Sequence, residues 1–378
     1  MQSVVRASAS VPLSDRHRRA LLRSGVAALW LAGCTTPPPR IDDKIDRQPF
    51  WPRPPDRPRF VYEHTLRAPA DILADVKELQ LLQTLTGDQS ANNPAFEKPA
   101  AVAARQGRIY VTDSVKRRVV AFDVPRRRVF VFGWRTPGQL QKPLGLALDA
   151  RSAVYVADSS LRRIMMYDAW GLFVRHFGDP TTLERPTGIA VNAEGTRVYA
   201  IDRASNESDQ HRVVMFDGEG RFLREIGKRG NREGEFNVPV AGACAPDGTL
   251  YVLDAGNFRV QALTPDGEFR HSFGGVGVGF GDLARPRGIA VDGQGLVYVS
   301  DASFNNVQIF NPQGQLLLAI GQVSRTDAPG RYGLVSGVAV DETGRIYVAD
   351  QFFNKIEVVR PVKDAEADLL LKGGRLAG

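Results

Sequence analysis

The chain is poor in the side chains that most often build covalent frameworks and metal centres. Two cysteines, Cys34 and Cys244, and five histidines occur in 378 residues. Two thiols cannot make a disulfide framework. No run of 18 apolar residues is present, which excludes a mature membrane-spanning helix. None of the patterns H-E-x-x-H, G-x-S-x-G or G-x-x-x-x-G-K-[ST] occurs, so zinc protease, α/β-hydrolase and P-loop chemistry lack their sequence marks. What is abundant is turn material, with 37 glycines and 24 prolines beside 43% hydrophobic residues. That balance excludes a coiled coil or a collagen-like rod and predicts a turn-rich globular body with a real core.

The net charge of +7 invites a nucleic-acid reading, but much of it lies at one end. Residues 1–33 hold five arginines and one aspartate of the totals of 49 basic and 42 acidic side chains; without them 44 and 41 remain, a balance of +3. A nucleic-acid-binding domain keeps a concentrated basic footprint, and this body lacks one. The same segment reads as an export signal. Arg16, His17, Arg18, Arg19 and Arg23 precede a short apolar run from Val26 to Leu31, which ends in Leu31-Ala32-Gly33-Cys34. The last four residues resemble the lipobox of bacterial lipoproteins, which implies lipidation of Cys34 as the mature N-terminus. Arg18-Arg19-Ala20-Leu21-Leu22-Arg23 is similar to a twin-arginine export motif, with Leu where Phe is preferred. Residues 34–58 are rich in proline and predict an extended tether. The expected location is therefore outside the cytoplasm, anchored to a bacterial membrane. Thr35 stands where an inner-membrane retention signal has Asp, so the periplasmic or outer-membrane side is preferred.

From Pro99 onward the chain repeats. A tyrosine followed three residues later by an aspartate occurs as Tyr110/Asp113, Tyr155/Asp158, Tyr199/Asp202, Tyr251/Asp254, Tyr298/Asp301 and Tyr347/Asp350. The five intervals from Asp113 to Asp350 average about 47 residues, the length of a propeller blade. Each copy carries strand-length runs of Val, Ile, Tyr and Phe between Gly, Asp, Asn and Pro turns. An alanine recurs in the first run, at Ala103, Ala147, Ala190, Ala243, Ala290 and Ala339, as a crowded axial strand requires. The sixth copy lacks its fourth strand, while a spare strand, Arg59–Leu66, stands before the first copy. The economical solution is an all-β, six-bladed propeller over residues 59–360, built of four-stranded antiparallel blades. The N-terminal strand closes the last blade and removes an open edge. Residues 70–85 predict one short amphipathic helix, with Ile72, Val76, Leu79 and Leu82 on one stripe. Residues 361–378 read as a solvated tail.

The recurring Pro-x-Gly-Ile/Leu-Ala-Val, Tyr-Val-x-Asp and Asn/Arg-Val/Ile-x-x-Phe blocks resemble the NHL repeat. That resemblance implies the propeller fold and leaves function open, since NHL propellers include scaffolds, sensors and a few lyases.

Catalysis finds little to stand on. The peptidyl-amidoglycolate lyase branch of NHL-like propellers gathers several histidines on zinc near the axis. Here His64, His176 and His271 fall on outer strands, and only His211 lies in a suitable loop. No metal and no cofactor is expected. Six identical aspartates after the tyrosines predict a repeated turn requirement. Asp149, Asn192, Asp292 and Asp341 also predict turns, with calcium ligation as the competing use. Cys244 predicts a buried thiol.

The loops after each Tyr-x-x-Asp carry Arg117, Arg118, Arg162, Arg163, Phe258, Arg259, Phe304, Asn305, Phe352 and Phe353 on one face. Arg212 follows a five-residue insertion in the third copy. Arginine beside aromatics is what recognition surfaces enrich, so these are the candidate partner-binding residues. The expected partner is an envelope protein, peptide or anionic glycan. A metal-dependent lyase or lactonase is the competing class, and RNA binding a third that needs a cytoplasmic location.

Overall fold

The structure is a computed structural model and describes residues 48–72, 90–374 and 376. The export signal, Cys34 and residues 73–85 of the expected helix lie outside those residues. Within them, five blades follow the chain in order, each a four-stranded antiparallel sheet. Their first strands are Pro99–Arg105, Pro143–Leu148, Pro186–Val191, Pro239–Cys244 and Pro286–Val291, and that of the sixth blade is Val335–Val340. Each of these six strands neighbours the next, and the sixth returns to the first, so they form a closed inner ring. The repeated alanines line its channel.

Glycine sets how closely the inner strands approach. A Cβ on Gly188 would lie 2.6 Å from Ala241 Cα, and one on Gly145 would lie 2.7 Å from Gly188 Cα. Backbone stands where a side chain would go, so the Pro-x-Gly position admits only a hydrogen. The blades bury their faces against one another farther out. Val198, Ala200 and Val214 of blade three, for example, share a core cluster with Tyr155, Ala157 and Ile164 of blade two.

The sixth sheet runs in the order Val335–Val340, Ile346–Asp350, Lys355–Pro361, Phe60–Leu66 and Phe50–Trp51. The closing strand pairs as the sequence predicts, antiparallel, with Val61 opposite Arg360 and Leu66 opposite Ile356. Val61 and Leu66 are fully buried. An ionic network reinforces the seam. Lys355 Nζ lies 3.0 Å from Glu357 Oε2 and 3.0 Å from Asp327 Oδ1, and Asp327 also pairs with Arg67 just beyond the closing strand. Glu357 Oε1 accepts the Gly330 N–H at 2.7 Å and the Tyr332 hydroxyl at 2.9 Å.

Two expectations need correction. The proline-rich stretch is not a free tether throughout: Phe50–Trp51 pairs with Phe60–Val61 as a fifth strand. The Trp51 ring sits so close to Gly330 that a Cβ there would meet it at 2.6 Å, and its burial against the sixth blade outweighs the extended preference of its prolines. The C-terminal segment is likewise not all solvated tail. It forms the α-helix Asp364–Leu371 with Ala367 and Leu370 buried. Arg360 holds Glu366 through two 2.8 Å hydrogen bonds, and Arg57 reaches Asp364 at 3.1 Å and Asp368 at 3.0 Å. The described helix is thus C-terminal; at the N-terminal position only the 3₁₀ turn Pro69–Ile72 is described.

Candidate functional site: the loop face and its axial mouth

Strand polarity decides which loops share a face. Each inner strand starts at a proline opposite the aspartate that ends the second strand, as in Pro143 with Asp158, Pro239 with Asp254 and Pro286 with Asp301. The connection entering a blade and its second loop therefore emerge together. The aspartate ties them. Asp350 accepts N–H bonds from Gly333 at 2.7 Å and Leu334 at 3.2 Å on the entering side, and from Phe352 at 2.8 Å and Phe353 at 3.1 Å in its own loop. Asp113, Asp158 and Asp301 repeat the pattern.

Most of the arginines expected to meet a partner are engaged within the fold. Arg118 donates to Ala95 O at 3.1 Å, Arg162 to Leu183 O at 2.8 Å, and Arg212 to Thr182 O at 3.2 Å. Arg259 donates to Arg232 O at 2.7 Å and Glu235 O at 2.9 Å. Arg118, Arg212 and Arg259 each pin their loop to the connection that enters the same blade, and Arg162 pins its loop to the connection that enters the next blade. Arg212 and Arg259 also face carboxylates, at 2.5 Å from Glu225 and 3.0 Å from Asp254. Arg163 is half-buried. Arg117, Arg162, Phe258, Asn305 and Asn354 share a left-handed backbone slot with φ between 50° and 55°. Asn305 is buried and accepts the Val335 N–H at 3.1 Å; Phe258, Phe304 and Phe353 are half-buried. Arg117 and Phe352 stay open to solvent, with Phe352 63% exposed and edge-on to Phe353 at 4.9 Å. His211 is buried: its Nδ1 accepts the Val238 N–H and its Nε2 donates to Ser205 O, both at 3.0 Å. It clamps the third-blade insertion to the start of blade four.

Two features of this face escape a reading by residue type. The connection between blades four and five exposes Val276, Val278 and Phe280 at 75%, 90% and 95%, at alternate positions among glycines. An apolar alternation with no sheet to face is the signal that was available. The second feature lies at the axis, where a cavity of about 170 Å³ opens on the same face, lined by small residues together with Arg203, Arg287 and Gln351. Both arginines depart from what the other blades place at the same repeat positions.

The far mouth is wider, about 330 Å³, and holds Asp149, Asp292, Asp341 and Cys244. Its carboxylates serve turns and tyrosines. Asp341 accepts the Thr343 N–H at 2.8 Å, the Arg345 N–H at 3.0 Å and the Tyr347 hydroxyl at 2.8 Å; Asp292 does the same with Gln294, Leu296 and Tyr298. Asn192 accepts the Arg197 N–H at 2.9 Å. Among the described residues no group of three His, Cys, Asp or Glu side chains is arranged to hold a metal ion. Burial pushes the Cys244 thiol up to about 12.

Residues 283–310, which span the first three strands of blade five, match the NHL repeat family. Among curated relatives, the brain tumor protein of Drosophila melanogaster is 32% identical over 137 residues, 35% of this chain and 12% of that protein. The chain thus spans about an eighth of that relative. Among solved structures, streptogramin B lyase superimposes with a TM-score of 0.51 at 13% identity, over 70% of this chain and 94% of that one. A gluconolactonase from Xanthomonas campestris gives 0.51 at 19% identity, over 80% and 98%. At these identities the likeness establishes the β-propeller fold alone.

Proposed function

We propose that this propeller is a binding module of the cell envelope, exported and anchored through Cys34, which holds a protein partner on its loop face. The observation that carries the reading is the exposed apolar ridge of that face, Val276, Val278 and Phe280, with Phe352 on the sixth-blade loop. Large apolar side chains held almost wholly in water mark an interaction surface, and aromatic anchors supply much of the affinity of such surfaces. The basic n-region, the short apolar run and the lipobox-like tetrapeptide before Cys34 support the export and anchoring. The lyase and lactonase readings draw on the fold alone, and the carboxylates of the far mouth are engaged in turns.

Photo-crosslinking from position 278 in intact envelopes tests the binding role, compared between the wild-type ridge and a Val276→Ser/Phe280→Ser background. One specific adduct that disappears in the variant, at unchanged thermal stability, is the expected result. An adduct indifferent to the substitutions defeats the reading. Palmitate labelling that survives Cys34→Ser defeats the anchor.

A further inference from the structure

We infer that the axial mouth of the loop face is a binding site for a compact oxyanion, a carboxylate or phosphate group, held by Arg203 and Arg287. The inference is independent of the apolar ridge and rests on other residues.

The repeat makes these two side chains conspicuous. Arg203 follows the strand-ending aspartate, a position that holds Ser114, Ser159, Ala255, Ala302 and Gln351 in the other blades. Arg287 is the middle residue of Pro-x-Gly, where the other blades hold Ala100, Leu144, Thr187, Val240 and Ser336. The fold keeps these inner-rim positions uncharged, except at two places. Both lie on the wall of the same cavity of about 170 Å³, with the small blade-four residues Val240, Ala241 and Gly242 also in that wall.

Neither guanidinium has its charge answered. The Nε of each is buried without a hydrogen-bond partner, and among the described residues neither side chain takes part in an ion pair. Arg212 and Arg259, on the same face, do have carboxylate partners, so the fold supplies acceptors where it needs them. Burial lowers the pKa of both side chains. The neighbouring Arg185 adds to this at Arg203, and Arg285 and Arg203 add to it at Arg287. Like charges collected in one half-buried cavity, with donors left over, are a standing electrostatic penalty in the ligand-free protein. An oxyanion removes it, because a planar guanidinium offers paired N–H donors to carboxylate or phosphate oxygens. The space is below the roughly 300–1,000 Å³ of clefts that enclose drug-sized ligands. It admits a head group, and the remainder of the ligand would extend over the loop face.

The test uses the purified full-length chain and two probes, inorganic phosphate and succinate, each titrated against chloride at constant ionic strength. A saturable rise in melting temperature with at least one probe is expected; phosphate alone or succinate alone then identifies the head group. Arg287→Met, and Arg203→Gln as a second variant, should weaken the response at least about tenfold, equivalent to ~1.4 kcal/mol. Because each removes an uncompensated cation, neither should lower the melting temperature of the ligand-free protein. Three results overturn the inference: no response beyond that to chloride, an undiminished response in both variants, or a loss of ligand-free stability by several degrees in both. The last would make the arginines structural. None of these results bears on crosslinking from the ridge, so either idea can fail alone.

Discussion

Lys355→Met is the sharpest probe of how the ring is sealed. Lys355 is 1% exposed and Glu357 is fully buried, with 3.0 Å between Nζ and Oε2. Removing the lysine leaves Glu357 with the Gly330 N–H and the Tyr332 hydroxyl, which are dipoles rather than a counter-charge. Breaking a buried pair from one side costs about 3–5 kcal/mol. At the lower end of the usual conversion for large domains, that is a fall of roughly 6–10 °C in melting temperature. Lys355→Met/Glu357→Gln removes both charges but keeps an acceptor for Gly330 and Tyr332, so it should recover to within about 1–2 kcal/mol of wild type. The pH dependence has a definite sign. Burial raises the Glu357 carboxyl above its ordinary 4.5, and Lys355 opposes that rise. A carboxyl with a raised folded pKa binds its proton more readily in the native state. Its contribution is therefore complete below 4.5 and is lost as pH climbs through the raised value. Without Lys355 that value climbs further, so the single variant should lose more stability near pH 8 than at pH 4.5. Urea denaturation at the two pH values checks this. A penalty below about 1 kcal/mol, or one that ignores pH, would refute the reasoning.

Three further outcomes follow from the packing. Gly188→Ala places a Cβ 2.6 Å from both Ala241 Cα and Val240 O, where backbone must move, so urea unfolding should show a loss of about 1–3 kcal/mol. Glu366, held down to about 2 chiefly by the Arg360 guanidinium, stabilises the C-terminal helix above its ordinary 4.5 and ceases to do so as pH falls toward 2. The half-buried pair, still reached by solvent, contributes about 1 kcal/mol or less, and amide exchange should quicken in residues 364–371 on acidification while the blades stay protected. Cys244, half-buried in the wall of the wider mouth with its thiol pushed up to about 12 by burial, should react with Ellman's reagent far more slowly in the native protein than after denaturant is added. A native reaction as fast as the denatured one would contradict the raised pKa.

The blades could be read from the chain because each states the same pattern. The seam could be read because one strand is missing at residue 360 and one is spare at residue 60. Phe50–Trp51 and Asp364–Leu371 could not. Their local composition argues for an extended tether and a solvated tail, and only the tertiary surface that receives Trp51 and Leu370 overrides it. The loop arginines show a second limit. Arg118, Arg162 and Arg259 occupy a face suited to recognition, yet a sequence cannot distinguish a guanidinium that bonds a carbonyl from one that awaits a partner.

The repeat itself offers a way past that limit. A residue type that recurs at one slot around the ring answers a requirement every blade shares, which is why the aspartates, the inner alanines and the left-handed Asn/Arg slot all proved to hold the fold together. Function requires asymmetry, because one ligand meets the ring at one place. The informative positions are then the departures: arginine where five blades have small or uncharged residues at 203 and 287, and bare valine and phenylalanine among the glycines of 275–281. Both departures fall on the same face. Moving Arg287 to the equivalent rim position of another blade, as Arg287→Ser/Ser336→Arg, would keep composition and net charge while separating the pair. If adjacency to Arg203 is what matters, oxyanion binding should fall as far as in Arg287→Met, and an intact response in the transposed protein would show that only the net charge of the rim counts.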